Sequence, residues 1–217
     1  VFVTWGHYQD WCEIGSSYPE LAEFPVYAVL GINGEVGEVR EALAGWAIAV
    51  QRGDGSSAVS PAGVIHELGD VFWYLARCCT DLHISLGCLG PADRNNIHSI
   101  DSDTPLPERS PASVRLSIEH LFEVQALMAH AADRLCEVAK KAVRNQHRAA
   151  MDPTIRGRME VHEPHYFMTA ALSPLADLRE KTTFLAEGLG VDALYVLNAN
   201  RAKLDKRRAQ NGTAGHG

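Results

Sequence analysis

Apolar side chains at Val64, Leu68, Val71, Leu75, Cys78 and Leu82 recur at steps of three and four, so on a helix they share one face. Ser60 and Pro61 open this segment as a capping residue followed by a first-turn proline, and the pattern runs to about Leu86. Such a stripe is the core face of a bundle helix. A second helix is expected from about Pro25 to Val50. A third, from about Pro111 to His147, carries Ile118, Leu121, Phe122, Met128, Leu135 and Val138. Ser173-Pro174 starts another through Leu185, which Gly188 and Gly190 stop, and Asp192 caps a last helix to about Arg208. A short helix opens the chain, with Thr4 as its cap and Tyr8, Trp11 and Cys12 on its inner side; the Ser16-Ser17-Tyr18-Pro19 stretch ends it.

Between the periodic segments the composition changes. The run Arg52-Gly53-Asp54-Gly55-Ser56-Ser57 is a loop. Residues 88–112 are rich in Asp, Asn, Ser and Pro and read as an exposed insertion or linker; residues 150–172 read as a second irregular insertion, either mobile or covering a site; residues 209–217 read as a disordered tail. Asp101 and Asp103 have the spacing of a calcium loop, but the rest of that loop pattern is missing. No stretch alternates as a strand does. The expected fold is an all-α helical bundle, one domain over residues 1–217 with two irregular insertions.

Composition narrows the function classes. With 217 residues, 46% of them hydrophobic, the chain can bury a real core within one domain. A net charge of -7 argues against general nucleic-acid binding, which needs a positive surface, yet a metal can reverse the field inside an acidic pocket for a small phosphorylated ligand. The five cysteines (Cys12, Cys78, Cys79, Cys88 and Cys136) are odd in number and form no CxxC pair, so reduced core thiols in a cytoplasmic protein are expected. No signal peptide and no apolar run of membrane-spanning length is legible, and no membrane partner is expected. The chain opens on Val1 and not on Met, so residues trimmed or missing ahead of it are expected, and any targeting information they carried is not legible.

The chemistry-bearing residues gather in two segments, Gly34-Glu35-Val36-Gly37-Glu38 and His66-Glu67-Leu68-Gly69-Asp70. Residues three apart share a helix side, so Glu35 pairs with Glu38 and Glu67 with Asp70. The short loop near Gly53 sets the two helices antiparallel and adjacent. Four acids facing each other raise one another's pKa unless a cation intervenes, and an all-oxygen donor set favours Mg²⁺ or Mn²⁺ over zinc. Solvated ExxE pairs are common without a metal; two pairs on consecutive glycine-containing helices are harder to dismiss. A di-iron bundle would want Glu-x-x-His, and a zinc protease HExxH; neither histidine is present at the matching position. Gly31, Gly34 and Gly37 recur every third residue, a costly choice in a helix that is easier to accept where another backbone or a ligand comes close.

Taken together, Gly31-Ile32-Asn33-Gly34-Glu35-Val36-Gly37-Glu38-Val39 and Glu67-Leu68-Gly69-Asp70-Val71-Phe72-Trp73-Tyr74-Leu75 resemble the MazG-like family of all-α NTP pyrophosphohydrolases, whose pattern is ExxE, a spacer and ExxD. The likeness extends to Tyr8-Gln9-Asp10-Trp11 with Tyr18-Pro19, to Glu137 through Arg144 and to Asn198 through Arg207, but not to 88–112 or 150–172. The resemblance implies that Glu35, Glu38, Glu67 and Asp70 hold Mg²⁺ against a triphosphate, with Glu38 or Glu35 orienting the attacking water. It implies cleavage between the α- and β-phosphates to a monophosphate and pyrophosphate, and a homodimer or homotetramer with its sites near the subunit interface.

Spacing and resemblance together nominate the substrate contacts. Lys140, Lys141 and Arg144 on one helix, and the ladder Asn200, Lys203, Arg207 on another, are expected to meet phosphate; removing Lys140 would then cost about tenfold or more in kcat or KM. Late-helix cations also suit solvent and the helix dipole, and Arg208 is read as surface. Tyr8, Trp11, Tyr27, Trp73 and Tyr74 are stacking platforms or pocket walls, with core packing the plainer reading for each, and Asn33 is placed to donate to a base or sugar. Two rival functions stand beside the general hydrolase: a base-specific dUTP- or dCTP-type diphosphatase, and a metal- or nucleotide-binding protein that does not turn over.

Overall fold

The computed structural model describes residues 4–14, 24–52, 60–89, 116–151 and 163–213. In chain order these form α1 (Trp5–Glu13), α2 (Val26–Arg52), α3 (Ala62–Asp81), a 3₁₀ turn (Leu86–Cys88), α4 (Ile118–Met151), α5 (Glu163–Gly188) and α6 (Ala193–Thr213). Among the described residues there is no strand, and the fold is all-α. No described helix is long and apolar enough to cross a membrane.

Helices α2 and α3 form the central pair. Tyr27 and Gly31 face Tyr74 while Glu35 and Glu38 face Glu67, so the two run antiparallel. Helix α4 packs on α2 and α5 packs on α4; α1 and α6 both lie on α3. Buried side chains from all six helices, among them Tyr8, Ile32, Leu68, Met128, Leu175 and Val196, join one core. The expected α3 stripe is inside it: Val64, Leu68, Val71, Leu75 and Cys78 are buried, with Leu82 packed at its edge.

Several boundaries follow the expected chemistry. Thr4 Oγ1 accepts from His7 N–H at 3.1 Å and caps α1. Ser60 Oγ accepts from Ala62 N–H at 3.2 Å ahead of α3, and Asp192 Oδ1 accepts from Tyr195 N–H at 2.7 Å at the start of α6. Gly190 takes a left-handed conformation, φ 86°, just past the end of α5.

Other boundaries differ from expectation. Helix α3 ends at Asp81 rather than near Leu86, because His83 adopts φ 55° and turns the chain out. The exit is then clamped: Gln9 Nε2 donates to the Ile84 carbonyl, Gln9 Oε1 accepts from Leu86 N–H, and Arg179 Nη1 donates to the Leu86 and Gly87 carbonyls. Helix α4 begins at Ile118, with Leu116 and Ser117 non-helical and Ser117 Oγ accepting from His120 N–H.

The expected insertion over 150–172 is only partly one. Residues 163–172 are helical, and α5 starts at Glu163 with Pro174 inside it rather than opening at Ser173-Pro174. An interior proline costs about 3 kcal/mol, but burying a Leu side chain returns about 1.5–3 kcal/mol, and Leu175 and Leu178 on the same helix are fully buried. Helix α6 likewise continues to Thr213, past the expected end near Arg208 and into the segment read as a disordered tail. The expected end of the first helix at 16–19, the loop at 53–59, nearly all of the 88–112 insertion, and residues 152–162 and 214–217 lie outside the described residues.

Candidate functional site

The antiparallel setting of α2 and α3 brings three acids together. Glu35 and Glu38 stand one turn apart on α2, Glu67 comes from α3, and one oxygen from each lies within 4.8 Å of the others. Val36 and Val39 on α2 and Leu68 on α3 are buried, which fixes the helices in the register that presents these carboxylates together. Glu38 is exposed, and Glu35 and Glu67 are half-buried.

The fourth acid, Asp70, borders this cluster but is already engaged. Its Oδ2 is ion-paired with Lys203 Nζ of α6, and its Oδ1 accepts from Asn200 Nδ2 at 2.8 Å. Asn200 is buried, and its Oδ1 accepts from the Tyr8 hydroxyl at 3.0 Å, so both ends of the amide are fixed. Gly69 makes this approach possible: a Cβ there would stand 2.8 Å from Asn200 Cβ and 3.0 Å from its Nδ2. A chain of hydrogen bonds thus runs from the core of α1 through α6 to the acid on α3.

Electrostatics mark the cluster as strained in charge. Partial burial, then the neighbouring Asp70, Glu38 and Glu67 carboxylates, push the Glu35 carboxyl up to about 7, with Lys203 opposing. Glu67 is also raised, first by burial; Lys203 and His66 pull it down, while Asp70 and Glu38 raise it. Lys203 is the cation that acts on both.

The donor set fits a hard divalent ion. Its three donors are carboxylate oxygens, with no His or Cys among them. Hard oxygen donors of this kind suit Mg²⁺ or Mn²⁺ over zinc.

The remaining sequence candidates divide. Tyr74 lies beside the acids: a Cβ at Gly31 would come within 2.3 Å of its ring, the Tyr27 ring lies tilted to it at 6.4 Å and the Trp73 ring edge-to-face at 4.9 Å, and burial with Tyr27 and Glu35 nearby raises its hydroxyl pKa. Asn33 donates to Cys136 Sγ at 3.1 Å, a link to α4. Lys140, Lys141 and Arg144 are exposed on α4; Lys140 is bonded to Glu137 at 2.6 Å, and the three together lower the Glu137 carboxyl. In the ladder on α6, Asn200 and Lys203 reach Asp70, whereas Arg207 is exposed. Arg208 is at the surface as expected, donating to the Ile14 carbonyl and lying over the Trp11 ring at 4.8 Å.

The glycine stripe also divides. Gly31 has Tyr74 against it, as a close approach requires, but among the described residues nothing outside the adjoining backbone of α2 comes within 4 Å of a Cβ placed at Gly34 or Gly37. Sequence reasoning missed two contributors. Tyr8, read as a core or stacking ring, is a buried hydroxyl donor to Asn200, and Gly69 was read only as part of a motif. The signal for Gly69 was there, since a glycine inside a helix between two acids needs a steric reason.

Compared with protein-family models, with curated proteins and with solved structures, the chain gives no match.

Proposed function

We propose that this chain is a Mg²⁺-dependent hydrolase of nucleoside triphosphates, releasing a nucleoside monophosphate and pyrophosphate, as its resemblance to the MazG-like all-α family implies. The single observation that carries the proposal is the convergence of Glu35, Glu38 and Glu67 from two antiparallel helices, with a lysine as their nearby counter-charge. Carboxylates brought this close are costly without a cation, and a polyanionic substrate cannot approach them without one.

Glu35, Glu38 and Glu67 would hold Mg²⁺ (or Mn²⁺), with Asp70 bordering them. When bound, the ion supplies Lewis-acid stabilisation of phosphoryl oxygens and acidifies water. Glu35 or Glu38 orients the attacking water by accepting its hydrogen bond. Lys203 presents its ammonium at the border of the cluster, where an anionic phosphate oxygen would be met, and the buried Asn200 holds Asp70 in place beside it. Tyr74, Tyr27 and Trp73 form an aromatic group beside Glu35 that supports a place for the nucleobase.

The resemblance further supports a homodimer or homotetramer, and cysteines that form no disulfide among the described residues support a reducing, cytoplasmic setting. The test is a panel of NTPs and dNTPs with Mg²⁺, resolving pyrophosphate from orthophosphate, run beside Glu38→Gln. Expected is pyrophosphate release that the variant loses by about a hundredfold or more while staying folded. Orthophosphate as the sole product, or equal release by both proteins, contradicts the proposal.

A further inference from the structure

One of the four motif acids already has a cation. Lys203 and Asp70 form an ion pair withdrawn from solvent, with side-chain exposures of 19% and 16%, at the border of the three-glutamate cluster. The two partners are anchored unequally. Asp70 sits on α3 with its second oxygen held by Asn200, and Asn200 is held in turn by the buried Tyr8 hydroxyl. Lys203 reaches Asp70 on a flexible four-carbon stem from an exposed stretch of α6, where Ala202, Asp205 and Lys206 face solvent.

We propose that Lys203 is the resident counter-cation of the site: it pairs with Asp70 while the carboxylate cluster holds no divalent ion, and a divalent ion arriving at Glu35, Glu38 and Glu67 displaces it. The inference rests on the metal-centred reading above. An ammonium and a divalent ion on neighbouring carboxylates repel, and the repulsion is strong where solvent is partly excluded. The mobile partner yields. Asp70 stays in place through Asn200 and Tyr8, so its freed oxygen joins the acidic set, and the released ammonium is left to meet an anionic group of the substrate. The pairing therefore keeps the acids compact before the ion arrives and makes ion entry and lysine release a single exchange.

The exchange predicts an unusual sign, since removing a positive residue beside a cation site should tighten cation binding. Mn²⁺ binding is measured on the full chain by the electron paramagnetic resonance of the free ion, at a fixed pH above the Glu35 titration. Lys203→Met is expected to bind Mn²⁺ about threefold or more tightly than the unmodified protein, and Lys203→Arg to return to the unmodified affinity. Equal or weaker binding by Lys203→Met, with the unmodified protein still binding Mn²⁺, overturns the exchange and leaves the metal centre intact. Absence of saturable Mn²⁺ binding in the unmodified protein overturns the metal centre and the exchange with it. Should Lys203→Met fail to fold, the ¹⁵N signal of the Lys203 ammonium in the unmodified protein decides. It should move on addition of Mg²⁺, and a signal unchanged at saturating Mg²⁺ refutes displacement.

Discussion

The α2–α3 pair and the α4–α5 pair are both long helices packed through an apolar seam, but they treat charge in opposite ways. Across α4 and α5, Arg134 donates to Asp177 at 2.9 Å and to Ser173 at 2.9 Å, one cation meeting one anion and one hydroxyl. Gln125 of α4, buried, donates to the Val36 carbonyl of α2 at 3.2 Å. Between α2 and α3, three glutamates converge with Asp70 at their border, and Lys203 opposes them from α6. A surface pair such as Arg134–Asp177 contributes about 1 kcal/mol or less and is what ordinary folding produces. An excess of like charge half-withdrawn from water is unfavourable until a proton or a bound cation relieves it, which is the physical ground for the metal site proposed above.

The largest effect that sharpens this contrast concerns how the acid side is built. Gly69→Ala should destabilise the protein by about 1–3 kcal/mol in a urea titration, because the new Cβ would stand 2.8 Å from Asn200. Gly34→Ala, in the same motif but with open space around it, should stabilise by about 0.5–1 kcal/mol. Equal effects at the two positions would break the steric account of Asn200.

A smaller effect is a pH slope set by Glu35. The folded chain holds the Glu35 proton up to about 7, against an ordinary value of 4.5, so between these values the native state binds more protons than the unfolded one. Stability from this group is therefore present below about 4.5 and lost as pH rises through about 7. In the absence of divalent ions the Tm should fall across that window; Mg²⁺ should oppose the fall, and Glu35→Gln should flatten it. A Tm that rises there, after correction for the Glu35→Gln baseline, contradicts the assignment.

The smallest effect belongs to the exposed basic row of α4. The sequence assigns Lys140 a tenfold role, whereas its pairing with Glu137 on an exposed face supports a change in kcat/KM of about threefold or less for Lys140→Ala. A loss of about tenfold or more would bring α4 into the site.

Much of this contrast was legible in the chain itself. Helical periodicity placed the six described helices, because stripes such as Val64, Leu68, Val71 and Leu75 suit a core. Caps at Thr4 and Asp192 were legible because a side-chain oxygen before a helix has a local partner. Pairing of Glu35 with Glu38 followed from i,i+3 spacing, and their meeting with Glu67 from the short connection between the helices. What stayed hidden was long-range or tertiary. The start of α5 was misread because Pro174 is a breaker by local rules and is carried here by buried Leu175 and Leu178. The turn at His83 depends on contacts from Gln9 and Arg179, remote in sequence. The Tyr8–Asn200–Asp70 chain joins residues 8, 200 and 70, and no spacing rule reaches that far.

Titration calorimetry of the unmodified chain and of Glu67→Gln with Mn²⁺ is the most direct measurement, because Glu67 is the acid that α3 brings to Glu35 and Glu38. Saturable binding by the unmodified chain, weakened about tenfold or more by the variant, is the predicted result. Identical isotherms for the two proteins, or none in either, would mean that these carboxylates share no ion.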